Sequence, residues 1–167
     1  MNDTMRQDAI SRVGITIAID GPAGSGKSTV SKALAARLGI GYLDTGAMYR
    51  ALTWYCLDRG IDLANKAAVA AAANEMPLRL VSDPSDPHVW VEEREITQEI
   101  REPRIALEIK HVSTNLDVRA WMATEQRRRM MEAREQGSGM IAEGRDITTV
   151  VCPDADVRIL LLADQEA

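Results

Sequence analysis

Gly21-Pro22-Ala23-Gly24-Ser25-Gly26-Lys27-Ser28 reads G-x-x-x-x-G-K-[ST], with the β-branched run Ile15–Ile19 before it and a helix-like run from Thr29 to Leu38 after it. A strand, a glycine loop and a helix start are the context that a phosphate-binding loop requires. Glycines let the backbone turn through positive φ and bring bare N–H groups close to an anion. The helix that follows aims its unpaired N–H groups and positive dipole end at the same point. The span Gly21–Thr29 is therefore expected to hold the phosphates of a nucleoside triphosphate, with Lys27 on the β- and γ-phosphates and the Ser28 hydroxyl on Mg²⁺. The alternative is a glycine-rich turn that only joins a strand to a helix.

Working outward, Ile15–Ile19 is a continuous apolar run of the kind buried on both faces of a parallel sheet. The next helix is expected to bury Val30, Leu34 and Leu38 and to end at Gly39 in a left-handed cap. Gly41–Leu43 reads as a second strand, followed by a helix over Ala47–Arg59 closed by Gly60, and Ala64–Glu75 reads as an alanine-rich helix. The period then changes. Leu78–Val81, Val89–Val91 and Arg94–Thr97 are short strands parted by Asp83-Pro84 and Asp86-Pro87, so they are expected to be antiparallel. Pro103 suits a helix N-terminus, Leu116–Gln136 reads as a long helix, and Met140–Ala142 and Val157–Leu162 read as two further buried strands. The order implies an α/β fold: a doubly wound parallel sheet of the P-loop type with ligands at its carboxyl edge. Residues 13–167 form the core, with a small antiparallel-β subdomain inserted at about 76–110 and a disordered tail over 1–12.

The 167 residues are 46% hydrophobic, long enough for one real core. Twenty basic against 25 acidic side chains give a net charge of −5, which argues against a nucleic-acid polymer or an anionic membrane as partner. A small phosphorylated ligand needs only a local cluster of Arg and Lys. Cys56 and Cys152 have no metal or redox spacing, which suits a reducing, cytoplasmic setting without a structural metal. His88 and His111 read as surface or capping residues, and no apolar run reaches membrane-spanning length.

Two further stretches fall at strand ends. Asp44-Thr-Gly-Ala-Met-Tyr-Arg50 follows the second strand. The Arg50 guanidinium suits a bidentate grip on phosphate, and Asp44 could orient an attacking oxygen or a Mg²⁺-bound water. An N-cap aspartate and a surface arginine are the alternative. Glu143-Gly-Arg-Asp146 follows the strand at 140–142; it is either a ligand-edge acid–base pair or a structural ion pair about a tight turn at Gly144. Arg127-Arg-Arg129 reads as a solvated face.

In this order and spacing, the phosphate loop, the DTGAMYR heptad and EGRD…TVVCPDAD resemble bacterial cytidylate kinases, from about Ile15 to Ala163. The resemblance implies transfer of the γ-phosphoryl of ATP to CMP or dCMP by an enzyme expected to act as a monomer. It implies that Arg50 and Arg145 hold the monophosphate, that Asp44 acts near the transferring group and that Glu143 lies near the phosphates. It also implies that Asp146 and Arg119 contact the cytosine; taken alone, Arg119 would be a solvated helix residue. Two positions depart from the family pattern: Lys110 stands where a serine reads the base, with Ser113 nearby, and Thr148 stands where glycine is usual. Such kinases continue past the point matching Ala167 into an arginine-bearing lid, so the chain is expected to be part of a longer one, and as it stands to be of reduced activity. The rival readings are another small-molecule P-loop kinase, of the shikimate or gluconate type, and a catalytically silent nucleotide-binding module.

Overall fold

The computed structural model describes residues 3–5 and 14–163. Of the expected 1–12 tail only 3–5 are described, as an exposed helical turn; the rest lies outside the described residues. The chain divides into two compact units: Met1–Thr45 with Ser82–Asp86 and Gln126–Ala167, and Gly46–Val81 with Pro87–Glu125. The second is wider than the interval 76–110.

The first unit is built on strand β1 (Thr16–Asp20), helix α1 (Lys27–Leu38) and strand β2 (Gly41–Asp44). Helix α2 (Thr45–Asp58) and helix α3 (Lys66–Glu75) come next, then strands β3 (Leu78–Val81), β4 (His88–Val91) and β5 (Arg94–Glu95). Helices α4 (Pro103–Ser113) and α5 (Leu116–Glu135) lead back to strands β6 (Met140–Gly144) and β7 (Val157–Leu160). The order is the alternation expected, with boundaries shifted by no more than two residues.

In the first unit β2, β6, β1 and β7 lie side by side in that order, all parallel. All five residues of β1 and all five of β6 are buried, which is why both read as unbroken apolar runs rather than alternating ones. Ile17, Ile19, Ile40, Tyr42 and Ile141 make the core, with Leu34 and Leu38 packed against it. Helix α1 ends as expected, at Gly39 with φ 66° and its N–H on the Ala35 and Ala36 carbonyls.

The structure corrects three expectations here. Val30 is 43% exposed; the buried residues of α1 are Ser31 and Ala35, small side chains that let the helix lie close to the sheet. β7 is not a buried strand: Val157 and Leu160 are exposed, as is Leu162 beyond it. Among the described residues β7 pairs on one side only, with β1, while Ile159 and the following Leu161 pack, partly buried, against the core. Arg127 is not merely a solvated residue. It forks onto Asp154 at 2.6 and 2.9 Å and reaches the Val151 carbonyl at 3.3 Å, and the guanidinium holds the Asp154 carboxyl well below the usual carboxylate range. Nearby, Asp156 accepts the Thr16 N–H, the Thr16 hydroxyl and Arg134, each at 2.9 Å. The turn before β7 is thereby pinned to the start of β1.

The second unit contains an antiparallel sheet in the order β3–β4–β5, with Leu78 opposite Val91 and Trp90 opposite Glu95. Arg79 stacks over Trp90, and Arg94 over Trp54. Asn65 caps α3 through the Ala68 N–H, and the Asn115 amide bonds the Lys66 carbonyl, tying the starts of α3 and α5 together. No helix of the described residues is long and apolar enough to cross a membrane.

The packing of α1 gives a direct test by urea denaturation. Ile141→Ala, at a fully buried site in β6, is expected to lose about 2–5 kcal/mol of stability. Val30→Ala is expected to stay within about 0.5 kcal/mol; a loss as large as that at Ile141 would restore Val30 to the core.

Candidate functional site

β1 runs directly into the glycine loop. Gly24 and Gly26 take φ of 75° and 80°, values that L side chains seldom adopt, although a methyl group at either would meet nothing. Gly21 is glycine for a different reason: a Cβ there would lie 2.9 Å from the Leu161 carbonyl oxygen and 2.7 Å from the Ser25 hydroxyl. The N-cap of α1, Gly26, offers no side-chain acceptor, and the first turn has no acidic residue. The first N–H groups of α1 are thus left for an anion, with Lys27 and Ser28 at the same end.

Beside this loop stands a carboxylate. β2, β6 and β1 are paired so that Asp44 lies opposite Glu143, and Asp20 opposite Gly144. Glu143 is 3% exposed, and one of its oxygens accepts the Ser28 hydroxyl at 2.7 Å; its other oxygen has no hydrogen-bond partner. Burial pushes the Glu143 carboxyl above its ordinary value, and the Asp44 charge adds to this; the Ser28 and Tyr42 hydroxyls and the Lys27 charge act the other way. The Tyr42 phenol is pushed up more strongly, by burial and then by Asp44 and Glu143, so it stays a neutral hydroxyl. The Thr45 hydroxyl donates to the Glu143 carbonyl at 2.7 Å and fastens the start of α2 to β6.

After β6 the chain carries Arg145 and Asp146 and then winds a wide π-type turn, Ile147–Val151. Arg145 is exposed and has no ion-pair partner among the described residues. Glu143 bonds Ser28 rather than Arg145, so the sequence EGRD is not a local ion pair. The Gly21 N–H donates to the Gly144 carbonyl at 3.2 Å. Asp20 turns its carboxylate onto the Ile147 and Thr148 N–H groups, both at 2.8 Å.

The structure thus brings Gly21–Thr29, Asp44, Glu143, Arg145 and Asp146 to the carboxyl edge of one sheet. Arg50, on α2, and Arg119, on α5, belong to the second compact unit. There the Arg119 guanidinium reaches the Ser113 carbonyl at 3.4 Å. Tyr42, Thr45 and Asp20 were not among the residues singled out in the sequence. Asp20 carried a signal, as the one acidic residue ending an otherwise apolar strand at the loop. Tyr42 reads as an ordinary strand residue. No group of three or more His, Cys, Asp or Glu among the described residues could hold a metal by itself.

The model of the family described as cytidylate kinase matches residues 17–167. A cytidylate kinase of Streptomyces avermitilis is 43% identical over 153 residues, covering 92% of this chain and 65% of its own length. One of Rhodococcus opacus is 43% identical over 158 residues, 95% of this chain and 67% of its own. A bifunctional pantoate ligase/cytidylate kinase of Thermosynechococcus vestitus is 43% identical over 152 residues, 90% of this chain and 29% of its own. The chain therefore spans somewhat less than two thirds of the Streptomyces relative.

The Glu143 environment fixes the sign of a pH effect. A carboxyl whose folded value is raised contributes stability that is complete below its unfolded value, about 4.3, and lost as pH rises through the folded one. Glu143→Gln removes that loss. Its melting temperature is expected to exceed that of the parent at pH 7.5, with the gap closing toward pH 4. A variant that melts lower than the parent at pH 7.5 contradicts the assignment.

Proposed function

The chain belongs to the cytidylate kinase family, and on that footing we propose that it transfers the γ-phosphoryl group of ATP to CMP or dCMP. The observation that carries the reading is the meeting of an open helix N-terminus, Lys27, Ser28 and a buried carboxylate at one sheet edge.

In this reading the N–H groups of Gly21–Thr29 and the Lys27 ammonium hold the triphosphate. Mg²⁺ fits the same place. Glu143 presents a buried oxygen with no partner next to the Ser28 hydroxyl, a donor pair of hard oxygens such as this ion prefers, completed by substrate phosphates and water. When bound, the ion neutralises charge on the phosphates. Arg50 and Arg145 grip the monophosphate; Arg145 is exposed and has no competing carboxylate among the described residues. Asp44 accepts a proton or orients the attacking oxygen at the end of β2. Asp146 and Arg119 read the cytosine. In-line phosphoryl transfer asks the protein for positioning and charge stabilisation rather than a covalent intermediate, which side chains of these types can supply. The net charge of −5 does not exclude a small phosphorylated substrate, which needs only a local cluster of Arg and Lys.

The test is a coupled assay of ADP release with CMP, dCMP, UMP and AMP as acceptors. CMP and dCMP are expected to turn over, and Lys27→Ala to lower kcat/KM by about 10² or more, as loss of a charge-stabilising donor does. No turnover with any acceptor removes the kinase reading. ATP binding without acceptor-dependent ADP release favours a silent nucleotide-binding module.

A further inference from the structure

Asp20 closes β1 and immediately precedes Gly21, yet its side chain does not face the glycine loop. It is 3% exposed and spends both oxygens on the segment after β6. Oδ1 accepts the Ile147 N–H at 2.8 Å; Oδ2 accepts the Thr148 N–H at 2.8 Å and the Thr148 hydroxyl at 2.6 Å. Consecutive N–H groups converging on a carboxylate at the head of a turn form the same kind of nest that binds a free anion. Here the anion is part of the chain, 127 residues away in sequence.

The consequence falls on Arg145 and Asp146. Before them, Gly144 is paired with β1, and its carbonyl accepts the Gly21 N–H. After them, Ile147 and Thr148 are clamped by Asp20. The two residues therefore form a short bridge fixed at both ends to the base of the phosphate loop. Thr148 does not sit at positive φ; Glu92 is the sole non-glycine residue that does among the described residues. The turn does not need glycine at 148, and threonine supplies a third, charge-assisted bond to Asp20 that glycine could not make.

We propose that Asp20 and Thr148 are positioning residues that fix Arg145 and Asp146 for the acceptor nucleotide, with the Thr148 hydroxyl as the side-chain arm of the clamp. The inference rests on the kinase reading above, since it assigns the acceptor to Arg145 and Asp146. It predicts a selective effect: weakening the clamp loosens the grip on CMP and leaves the triphosphate, held by backbone N–H groups and Lys27, alone.

Calorimetric titration with CMP and, separately, with MgATP tests this without depending on turnover. Thr148→Val keeps the shape and removes the hydroxyl; Thr148→Ser keeps the hydroxyl. The valine variant is expected to bind CMP about tenfold more weakly, the scale of one bond to a charged acceptor. Its MgATP affinity should stay at the parental value while its melting temperature falls by a few degrees, as loss of a bond to a buried carboxylate requires, and the serine variant should bind CMP as the parent does. Asp20→Asn, which puts an amide donor against two N–H groups, should weaken CMP further where it folds. A valine variant with parental CMP affinity overturns the proposal. So does one that loses CMP and MgATP in equal measure, which is the mark of a structural role only. A parent that binds MgATP but no CMP overturns the functional reading first and this inference with it.

Discussion

The register between β1 and β6 is the constraint on which the site depends. Asp20 stands opposite Gly144, so the strand that launches the phosphate loop and the strand that launches Arg145 stop at the same level. Parallel pairing leaves both carboxyl ends on one edge, and one hydrogen bond, Gly21 N–H to Gly144 carbonyl, seals the junction. A slip of one residue would send every side chain of β6 to the other face. Glu143 would then leave Ser28, and the bridge to Ile147 would no longer reach Asp20. The chemistry at this edge is thus a property of strand pairing before it is a property of any side chain.

The second feature of the edge is a buried carboxylate with an unused oxygen. That oxygen belongs to Glu143, and the Asp44 and Glu143 charges each raise the energy of ionising the Tyr42 phenol. Against them the described residues set the Lys27 charge, which favours ionised Glu143. A buried carboxylate with half of its acceptors unused is costly unless a cation or donor arrives. An incoming cation or donor at the open oxygen would lower that cost.

Much of the fold could be read from the residues alone, and the reasons differ from element to element. The glycine loop and Gly39 were legible because unusual backbone angles leave glycine in the sequence. β1 and β6 were legible because strands buried on both faces cannot alternate. Val30 misled because size and apolarity were taken to mark the buried face of α1, whereas a helix lying close on a sheet buries small residues such as Ser31 and Ala35. Val157–Leu160 misled because an apolar strand has the same composition whether or not its faces are covered. In the site, the residues of the loop and of EGRD could be found by local pattern. The bonds that organise them could not, because Ser28 with Glu143 and Asp20 with Thr148 are separated by 115 and 128 residues. Arg127 was hidden for the same reason, its partner Asp154 lying 27 residues on.

Ala35 is completely enclosed where α1 meets the sheet, and Lys27 opens the same helix about two turns earlier. A helix this short behaves as a stiff rod. Any bulkier group at 35 would wedge the rod away from its bed, and the shift would travel along it to the lysine undiminished. The placing of Lys27 is therefore answerable to the volume of one methyl group buried farther along the same helix.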